Sequence, residues 1–540
     1  MAEQPQHRWP SRFISKHMNW AILMTAPMNQ KNNKINPAFG LLLALFITVV
    51  GMFAVYVAGN ARGYDPSATI LIRNTLMMSM FFVVYFILKS SYKGDFTILV
   101  VVALLTGIGF VVQYRISSAI NTNFQDALIK QYSAAALKKA TTDSTGAQMT
   151  HDQDSTVTRA DERSLESIQT EAKQLLKLDE WQFSAMMRQF FAGVPGWTRL
   201  IVSYLIALFS IIFIIKKCEK EKFMQLLSRP FFWVAITVLL LIIFVGLSEV
   251  KTRGRFVYQM TPWEAFKITI IIFLSGYFAL FKEELTKKKV VLKGKKLQSF
   301  LVTWGPFLLI WLIPQFLFIV LKDFGQVIIY GGLVIVMIFV VTRKYRFLFG
   351  GIAFIAISSK AILLLEGLVP SHALKRFQIW ADIWALPHDS AWWDQVYQIM
   401  NSFFALHAGG FAGSGLGLGY PTNIPLIVSD FVYAAIAEEM GFIGAALIVL
   451  LYLLLFFLGI RVALRAKNDF EKLLATGFAS MIAIQVFVNI GGVIKLIPLT
   501  GITLPFISRG GFSFLISFII IGFLMGISHR NGLREEQIEH

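Results

Sequence analysis

The sequence is poor in cysteine and in charge. Its single cysteine, Cys218, allows no disulfide within the chain, which excludes an internally cross-linked framework. Charged residues make up 15% of the chain, whereas soluble domains carry about 25%. Hydrophobic residues make up 56%, and phenylalanine alone occurs 49 times in 540 residues. This composition excludes a chain with mostly water-exposed surface and indicates one surrounded by lipid.

Positive charge exceeds negative charge, but its distribution does not indicate a nucleic-acid-binding face. The net charge of +18 resides mainly in short links between apolar runs. The basic links are 216–222, 282–296, 343–346 and 461–472. Lysine and arginine in such links mark the cytoplasmic side of a membrane protein. We therefore expect a membrane and no nucleic acid around the chain.

The long apolar runs predict an all-α, polytopic membrane helical bundle of about twelve transmembrane helices, since about 20 apolar residues cross a bilayer. The runs are 38–59, 68–89, 96–113, 196–217, 229–248, 265–281, 299–321, 326–342, 346–365, 442–464, 472–492 and 511–528. Simple alternation of twelve spans puts all four basic links on one side with the basic N-terminus. Both termini are then cytoplasmic, and the first long run remains as an anchor because 20–24 is too short for a signal-peptide core.

The spans divide the chain into a few regions. The division comprises a cytoplasmic tail (1–37), two N-terminal transmembrane helices (38–95), a membrane core (96–528) and a cytoplasmic C-terminal tail (529–540). Two long segments of the core, 114–195 and 366–441, fall on the external side. Loops on a rigid scaffold often carry function.

Charges inside or beside a span are functional candidates, because their insertion is costly. Arg253 and Arg255 precede Glu264 and Lys267, which share one helical face at i,i+3 spacing. A self-neutralising pair with two snorkelling arginines explains this group as well as a functional site does. For Asp323, between two spans, a turn at the membrane boundary is the better explanation.

The external segment 366–441 holds the densest set of polar groups. Lys375 and Arg376 are suited to a phosphate or diphosphate, and a nearby carboxylate can serve as general base. The glycines at 413, 415, 417 and 419 lack the Lys-Ser/Thr of a P-loop. His388, Asp389 and Asp394 lack a second histidine at ligand spacing, so we expect no protein-held metal.

Several motifs together resemble the SEDS family of RodA, FtsW and SpoVE proteins. They are Tyr397-Gln398, Gly409-Gly410, Gly415-Leu416-Gly417, Ser429-Asp430-Phe431, Ala437-Glu438-Glu439-Met440-Gly441, Asn489-Ile490, the run 498–508, Gly510-Gly511 and Ser513. Earlier matches are Gly109-Phe110, Gln113-Tyr114-Arg115, Arg188-Gln189, Pro262-x-Glu264-x-x-Lys267 and Asp323-Phe324-Gly325. The resemblance covers about residues 96–528.

The chain departs from the family pattern in places. The usual Ser-Tyr-Gly-Gly reads Ser508-Arg509-Gly510-Gly511, and the usual aspartate-proline segment reads Pro387-His388-Asp389-Ser390. The family core has ten spans, so the resemblance makes the spans 38–59 and 68–89 additional and the loop 114–195 enlarged.

The resemblance implies an inverting peptidoglycan glycosyltransferase that polymerises lipid II at the outer face of the bacterial cytoplasmic membrane, in elongation or division. It implies a class B penicillin-binding protein and other cell-wall synthesis proteins as partners. It leaves open a divalent cation, Mg²⁺ or Mn²⁺, on the diphosphate. A lipid-precursor flippase or transporter and a non-catalytic scaffold are the alternatives.

The residue roles are hypotheses within that reading. Lys375, Arg376, Arg253 and Arg255 are expected on the substrate diphosphates. Asp389 is the expected base, with Asp394 next. Asp430 and Glu438 rank below these two as bases; they are eight residues apart, about 80° around a helix, so they share one broad side. With Glu264, Lys267 and Ser508 they are expected to support the site.

Overall fold

All regular secondary structure in the described part of the chain is helical. The computed structural model describes residues 36–62, 66–119, 196–237, 239–240, 262–286, 323–364, 371–384, 393–509 and 511–539, with short stretches between 304 and 319. The helices are α1 (Pro37–Ala61), α2 (Ala68–Lys89), α3 (Thr97–Ala119), α4 (Gly196–Glu219), α5 (Glu221–Leu227), α6 (Pro262–Leu280), α7 (Lys282–Thr286), α8 (Phe324–Thr342), α9 (Tyr345–Leu364), α10 (Ser371–Ala381), α11 (Trp393–Gly409), α12 (Val432–Arg465), α13 (Asp469–Val493) and α14 (Gly511–Glu539).

Eight of the described helices are long and apolar enough to cross a membrane: α1, α2, α3, α4, α8, α12, α13 and α14. Each coincides with a run predicted from the sequence, which confirms the all-α polytopic bundle. The predicted runs 265–281 and 346–365 are helical as α6 and α9, and 229–248 is helical at 230–237. The total of twelve stays a prediction, because parts of 229–248 and 299–321 lie outside the described residues.

Helix α13 forms the centre of the bundle. It packs against α6, α8, α12 and α14. Of its most apolar 18-residue stretch, 83% is buried within the protein. By contrast, only 33% of the corresponding apolar stretch is buried in α1 and in α2. The two N-terminal helices therefore lie at the edge of the bundle, where most of their surface is available to lipid.

The basic links meet at one end of the bundle. Lys282 pairs with Asp469 at 2.6 Å, and Lys344 Nζ donates to the Thr286 carbonyl at 3.4 Å. Arg530 bridges Glu471 and Glu221 at 2.9 and 2.5 Å. These contacts join the described parts of the four links, as the positive-inside pattern requires.

The predicted tail 529–540 is not a tail, and that boundary was wrong. Helix α14 runs on to Glu539, and Arg530 is almost completely buried. Burying an arginine is costly unless it is paired, and Glu471 on α13 supplies the partner. The span prediction ended the helix at 528 because polar residues begin there, but those residues bind the neighbouring helices.

The first external segment also begins later than 114. Helix α3 continues to Ala119, so Tyr114 and Arg115 are helical and buried. Helix α1 lies close to α3, since a Cβ on Gly51 would lie 2.9 Å from Val111. Arg115 thereby lies at the end of the bundle opposite the basic links, which we call the outer end after its predicted location.

Candidate functional site

Helix α12 is interrupted at Gly441, near the outer end of the bundle. Gly441 has φ +64°, and a Cβ there would lie 2.3 Å from the Gly413 amide nitrogen, so only glycine fits. The break frees the carbonyls of Glu438 and Glu439 from helical bonding. They accept the amides of Ser414 and Gly415 at 2.9 and 3.0 Å.

The side chains of the same two glutamates hold the far end of this glycine loop (residues 410–420). Glu439 accepts from the Gly417 amide at 3.1 Å, and Glu438 accepts from the Tyr420 amide at 2.6 Å. The loop is thus fixed on α12 through both backbone and carboxylates. The glycines belong to a structural loop rather than to a nucleotide-binding one.

A buried ion pair completes the loop support. Arg115 Nε lies 2.8 Å from Glu439 Oε1, and both side chains are at most 5% exposed. Arg115 also donates to the Gly419 carbonyl at 2.9 Å. Glu439 and Arg115 appear among the sequence motifs, but only Glu438 was expected to support the site. A buried Glu-Glu pair on a span requires a cation, and this signal was available.

Asp430 does not lie on α12. It precedes the first helical residue, Val432, so the helical placement relative to Glu438 was wrong. Asn489 donates to the Asp430 carbonyl at 2.9 Å and to the Ile502 carbonyl at 2.6 Å. Ser508 donates to the Ser429 carbonyl at 2.5 Å. Ser508 and Asn489 therefore fix the backbone that presents Asp430.

Arg376 lies within electrostatic range of two carboxylates. It is on α10, and the charges of Asp323 and Asp430 both act on it. Burial raises the pKa of Asp430, while a hydrogen bond from Ser429 and the charge of Arg376 oppose that rise. Burial lowers the pKa of Arg376, and the two carboxylates oppose that change. Three segments distant in sequence thus bring the carboxylates of Asp323 and Asp430 close to the guanidinium of Arg376.

Glu264 and Lys267 form the self-neutralising pair that was one of the two readings of that motif. Lys267 Nζ lies 2.7 Å from Glu264 Oε2, and the two side chains are 1% and 8% exposed. Lys267 also donates to Gln485, which donates in turn to the Thr503 carbonyl at 2.9 Å. The pair is close enough to Asp323 for both charges to act on that carboxyl.

Asp323 has the boundary role that its sequence position favoured. Its carboxylate accepts the Gln326 amide at 3.3 Å and so caps the N-terminus of α8. Its interaction with Arg376 was not foreseen. The cap therefore also joins the charged group at the outer end.

The remaining predicted residues are placed unevenly. Lys375 is half-buried on α10 beside Arg376, and Asp394 is the second residue of α11. Arg253, Arg255 and Asp389 lie outside the described residues, so their roles stay predictions. Within the described ranges, no three histidine, cysteine, aspartate or glutamate side chains group as metal ligands would.

Arg509, which replaces the usual tyrosine of the Ser-Tyr-Gly-Gly motif, adds a cation to the outer end. Its side chain is exposed, and its backbone amide donates to the Val428 carbonyl at 2.9 Å. Its charge acts on Arg73 of α2. An N-terminal helix therefore contributes a second positive charge near the segment that carries Asp430.

Residues 182–532 match the family model for FtsW, RodA and SpoVE, described as cell cycle protein. The peptidoglycan glycosyltransferase RodA of Mycobacterium bovis is 33% identical over 272 residues, which is 50% of this chain and 56% of that protein. The stage V sporulation protein E of Bacillus subtilis is 33% identical over 309 residues, which is 56% of this chain and 78% of that protein. The matched part thus spans little more than half the length of the mycobacterial relative.

Two solved structures are also similar. A chain of a peptidoglycan synthase complex, described under the structural coordination of polymerization and crosslinking, is 22% identical with a TM-score of 0.47. The match covers 62% of this chain and 89% of that chain. The rod shape determining protein RodA of Thermus thermophilus is 20% identical with a TM-score of 0.38, covering 62% and 87%.

Proposed function

The chain belongs to the FtsW, RodA and SpoVE family, and from that membership we propose that it is a peptidoglycan glycosyltransferase. It polymerises lipid II into glycan strands at the outer face of the bacterial cytoplasmic membrane, in elongation or division. The observation that carries the proposal is the grouping of Arg376 with Asp430 and Asp323 at the bundle end opposite the basic links.

The reaction needs a base for the acceptor hydroxyl and a cation for the leaving group. The hydroxyl oxygen of the acceptor sugar attacks the anomeric carbon of the donor from the side opposite the diphosphate. The bond from that carbon to the diphosphate oxygen breaks, which inverts the configuration. The proton of the hydroxyl passes to the carboxylate, and the undecaprenyl diphosphate leaves with the electron pair.

We propose Asp430 as a candidate base in the described part of the outer end. A raised pKa makes a carboxylate a stronger proton acceptor, and burial raises the pKa of Asp430. Glu439 is occupied by Arg115, and Asp323 caps α8. Asp389, with Asp394 next, remains the base proposed from the sequence, and Asp430 is the base proposed from the described geometry.

Arg376 supplies the positive charge, and Lys375 stands next to it. A charge-assisted hydrogen bond to a diphosphate oxygen is worth about 1.5–3 kcal/mol, or roughly tenfold or more in rate. Arg253 and Arg255 are proposed as further contacts on sequence grounds. A divalent cation, Mg²⁺ or Mn²⁺, on the diphosphate is proposed as a further source of positive charge.

Lipid II given to the purified full-length protein tests the function. Glycan polymer supports the proposal, lipid relocation without polymer indicates a flippase, and neither product indicates a scaffold. For the base, Asp430→Asn should lower polymerisation about 10²–10⁴-fold. Asp382→Asn is the matched control, because that carboxylate is exposed and only accepts the Trp384 amide.

The same assay ranks the three aspartates. If Asp430→Asn polymerises normally and Asp389→Asn does not, the base is Asp389. If Asp394→Asn alone loses activity, the base is Asp394. Normal activity in all three variants would place the base elsewhere. A melting temperature equal to that of the unaltered protein must accompany any loss of activity, so that unfolding is not mistaken for loss of the base.

Family membership also supports a partner and a location. We propose a class B penicillin-binding protein, with other cell-wall synthesis proteins, as partners in the membrane. Copurification of such a transpeptidase from native membranes tests this. Both termini are proposed as cytoplasmic, and reporters fused near Lys288 and within 141–158 should report opposite sides.

A further inference from the structure

A groove of about 370 Å³ lies at the inner end of the bundle, far from the proposed site. It runs along α4 between the end of α2 and the buried His529 of α14. Its lining includes Phe209, Phe213, Lys216, Lys217, Lys220 and His529. Neither the proposed reaction nor the motifs of the family use this groove.

The lining changes character along the helix axis. Phe209 and Phe213 come first and are 65% and 50% exposed. Lys216 follows on α4, and Lys220 lies just beyond the last residue of that helix, Glu219. The α2 side repeats the order, with Leu88 before Ser91 and Tyr92. An apolar half directed towards the bilayer centre and a basic half at its boundary match a phospholipid, tail and headgroup respectively.

The lysines of the groove differ from the other cations at this end. Lys93, Lys282 and Arg534 pair with Glu536, Asp469 and Glu471 at 2.9, 2.6 and 2.6 Å. Within the described part of the chain, no carboxylate pairs with Lys216, Lys217 or Lys220 at salt-bridge distance, although Glu219 is a neighbour. Three lysines against one glutamate leave the groove with positive charge.

The side chains at the base of the groove are held in place by contacts within the protein. The ring of His529 stacks on Tyr92 with centroids 5.5 Å apart, and its Nδ1 accepts the Lys93 amide at 3.0 Å. Lys217 Nζ lies 5.2 Å from the centroid of the Phe213 ring, which brings its charge to the border of the apolar half. A ligand would meet a formed surface and would not have to order it.

We propose that this groove binds an anionic phospholipid of the cytoplasmic leaflet. Its phosphate lies among Lys216, Lys217 and Lys220, and an acyl chain lies along Phe209 and Phe213. Basic residues attract anionic lipid headgroups, so the positive charge of the groove favours an anionic phospholipid. The lipid ties α2, which lies outside the matched family region 182–532, to α4 and α14 of the core.

The test uses the full-length protein in detergent, with dioleoylphosphatidylglycerol and dioleoylphosphatidylcholine as probes. Retained lipid is counted by native mass spectrometry, and the melting temperature is recorded. The unaltered protein should retain the glycerol lipid preferentially. The triple variant Lys216→Ser, Lys217→Ser, Lys220→Ser should bind it about a hundredfold more weakly, given the contribution of each lysine near an anionic headgroup.

The matched control is the triple variant Arg343→Ser, Lys344→Ser, Arg346→Ser, which removes three charges from another basic link at the same end. It should bind like the unaltered protein. Equal retention of both lipids by the unaltered protein would overturn the proposal, as would an equal loss of binding in the control. So would a melting shift with glycerol 3-phosphate alone, which would indicate a phosphate site. The comparison of the two lipids on the unaltered protein decides the matter even if the triple variant fails to fold.

Discussion

Arg62 and Arg115 donate hydrogen bonds to the same carbonyl oxygen, that of Gly419, at 3.2 and 2.9 Å. Arg62 follows α1 and Arg115 lies on α3, so two helices hold one point of the glycine loop. Arg62 also lies over the Tyr420 ring, 5.0 Å from its centroid. The N-terminal helices therefore contact the loop that α12 supports from the other side.

The two arginines should contribute very differently to stability. Arg115→Met leaves Glu439 buried without its cation, which costs about 3–5 kcal/mol. Arg62 is exposed, so Arg62→Met removes one modest hydrogen bond, worth about 0.5–1.5 kcal/mol. Thermal unfolding in detergent measures both. Adding Glu439→Gln to Arg115→Met should restore part of the loss; equal melting temperatures for the two single variants would contradict this account.

The break in α12 should tolerate no side chain. Gly441→Ala places a Cβ 2.3 Å from the Gly413 nitrogen at φ +64°, and strain of this kind costs about 1–3 kcal/mol. We expect a lower melting temperature and lower polymerisation together, because the glycine loop would shift. Gly331→Ala in α8 is the control, since no atom lies within 4 Å of its Cβ position. A Gly441→Ala protein as stable as the Gly331→Ala protein would show that the break is not needed.

The sequence predicted the helices better than the contacts between them. Hydrophobic runs specify spans locally, and Glu264 and Lys267 were found because their partners are three residues apart. Arg115 and Glu439 are 324 residues apart, and Arg530 and Glu471 are 59 apart, so no local pattern links them. Asp430 was misplaced for a related reason: the mostly apolar run 426–431 continues into the apolar start of α12 at Val432, so the sequence gave no sign of where the helix begins.

The pH dependence of polymerisation should report on Asp430. Since burial raises its pKa, the rate should fall with acidity at a pH above the ordinary range of aspartate, about 3.9. Arg376 lowers that pKa, so Arg376→Gln should move the acidic limb to higher pH as well as slow the reaction. Lys375→Gln, which removes the adjacent charge, should leave the limb in place. If the acidic limb moves equally in both variants, or in neither, then Arg376 does not specifically lower the pKa of the base.

The pair of Glu264 and Lys267 should prove to be structural support. Lys267→Met leaves a buried carboxylate unpaired, which costs about 3–5 kcal/mol. The double variant Glu264→Leu, Lys267→Met removes both charges, and such apolar replacements are often neutral or stabilising. We therefore expect the double variant to recover its melting temperature. It should also retain polymerisation, because Glu264 and Lys267 pair with each other, and their described links to the outer end are Gln485 and the electrostatic effect on Asp323. A double variant that melts normally but makes no polymer would place the pair in the reaction itself, since packing alone would then be intact.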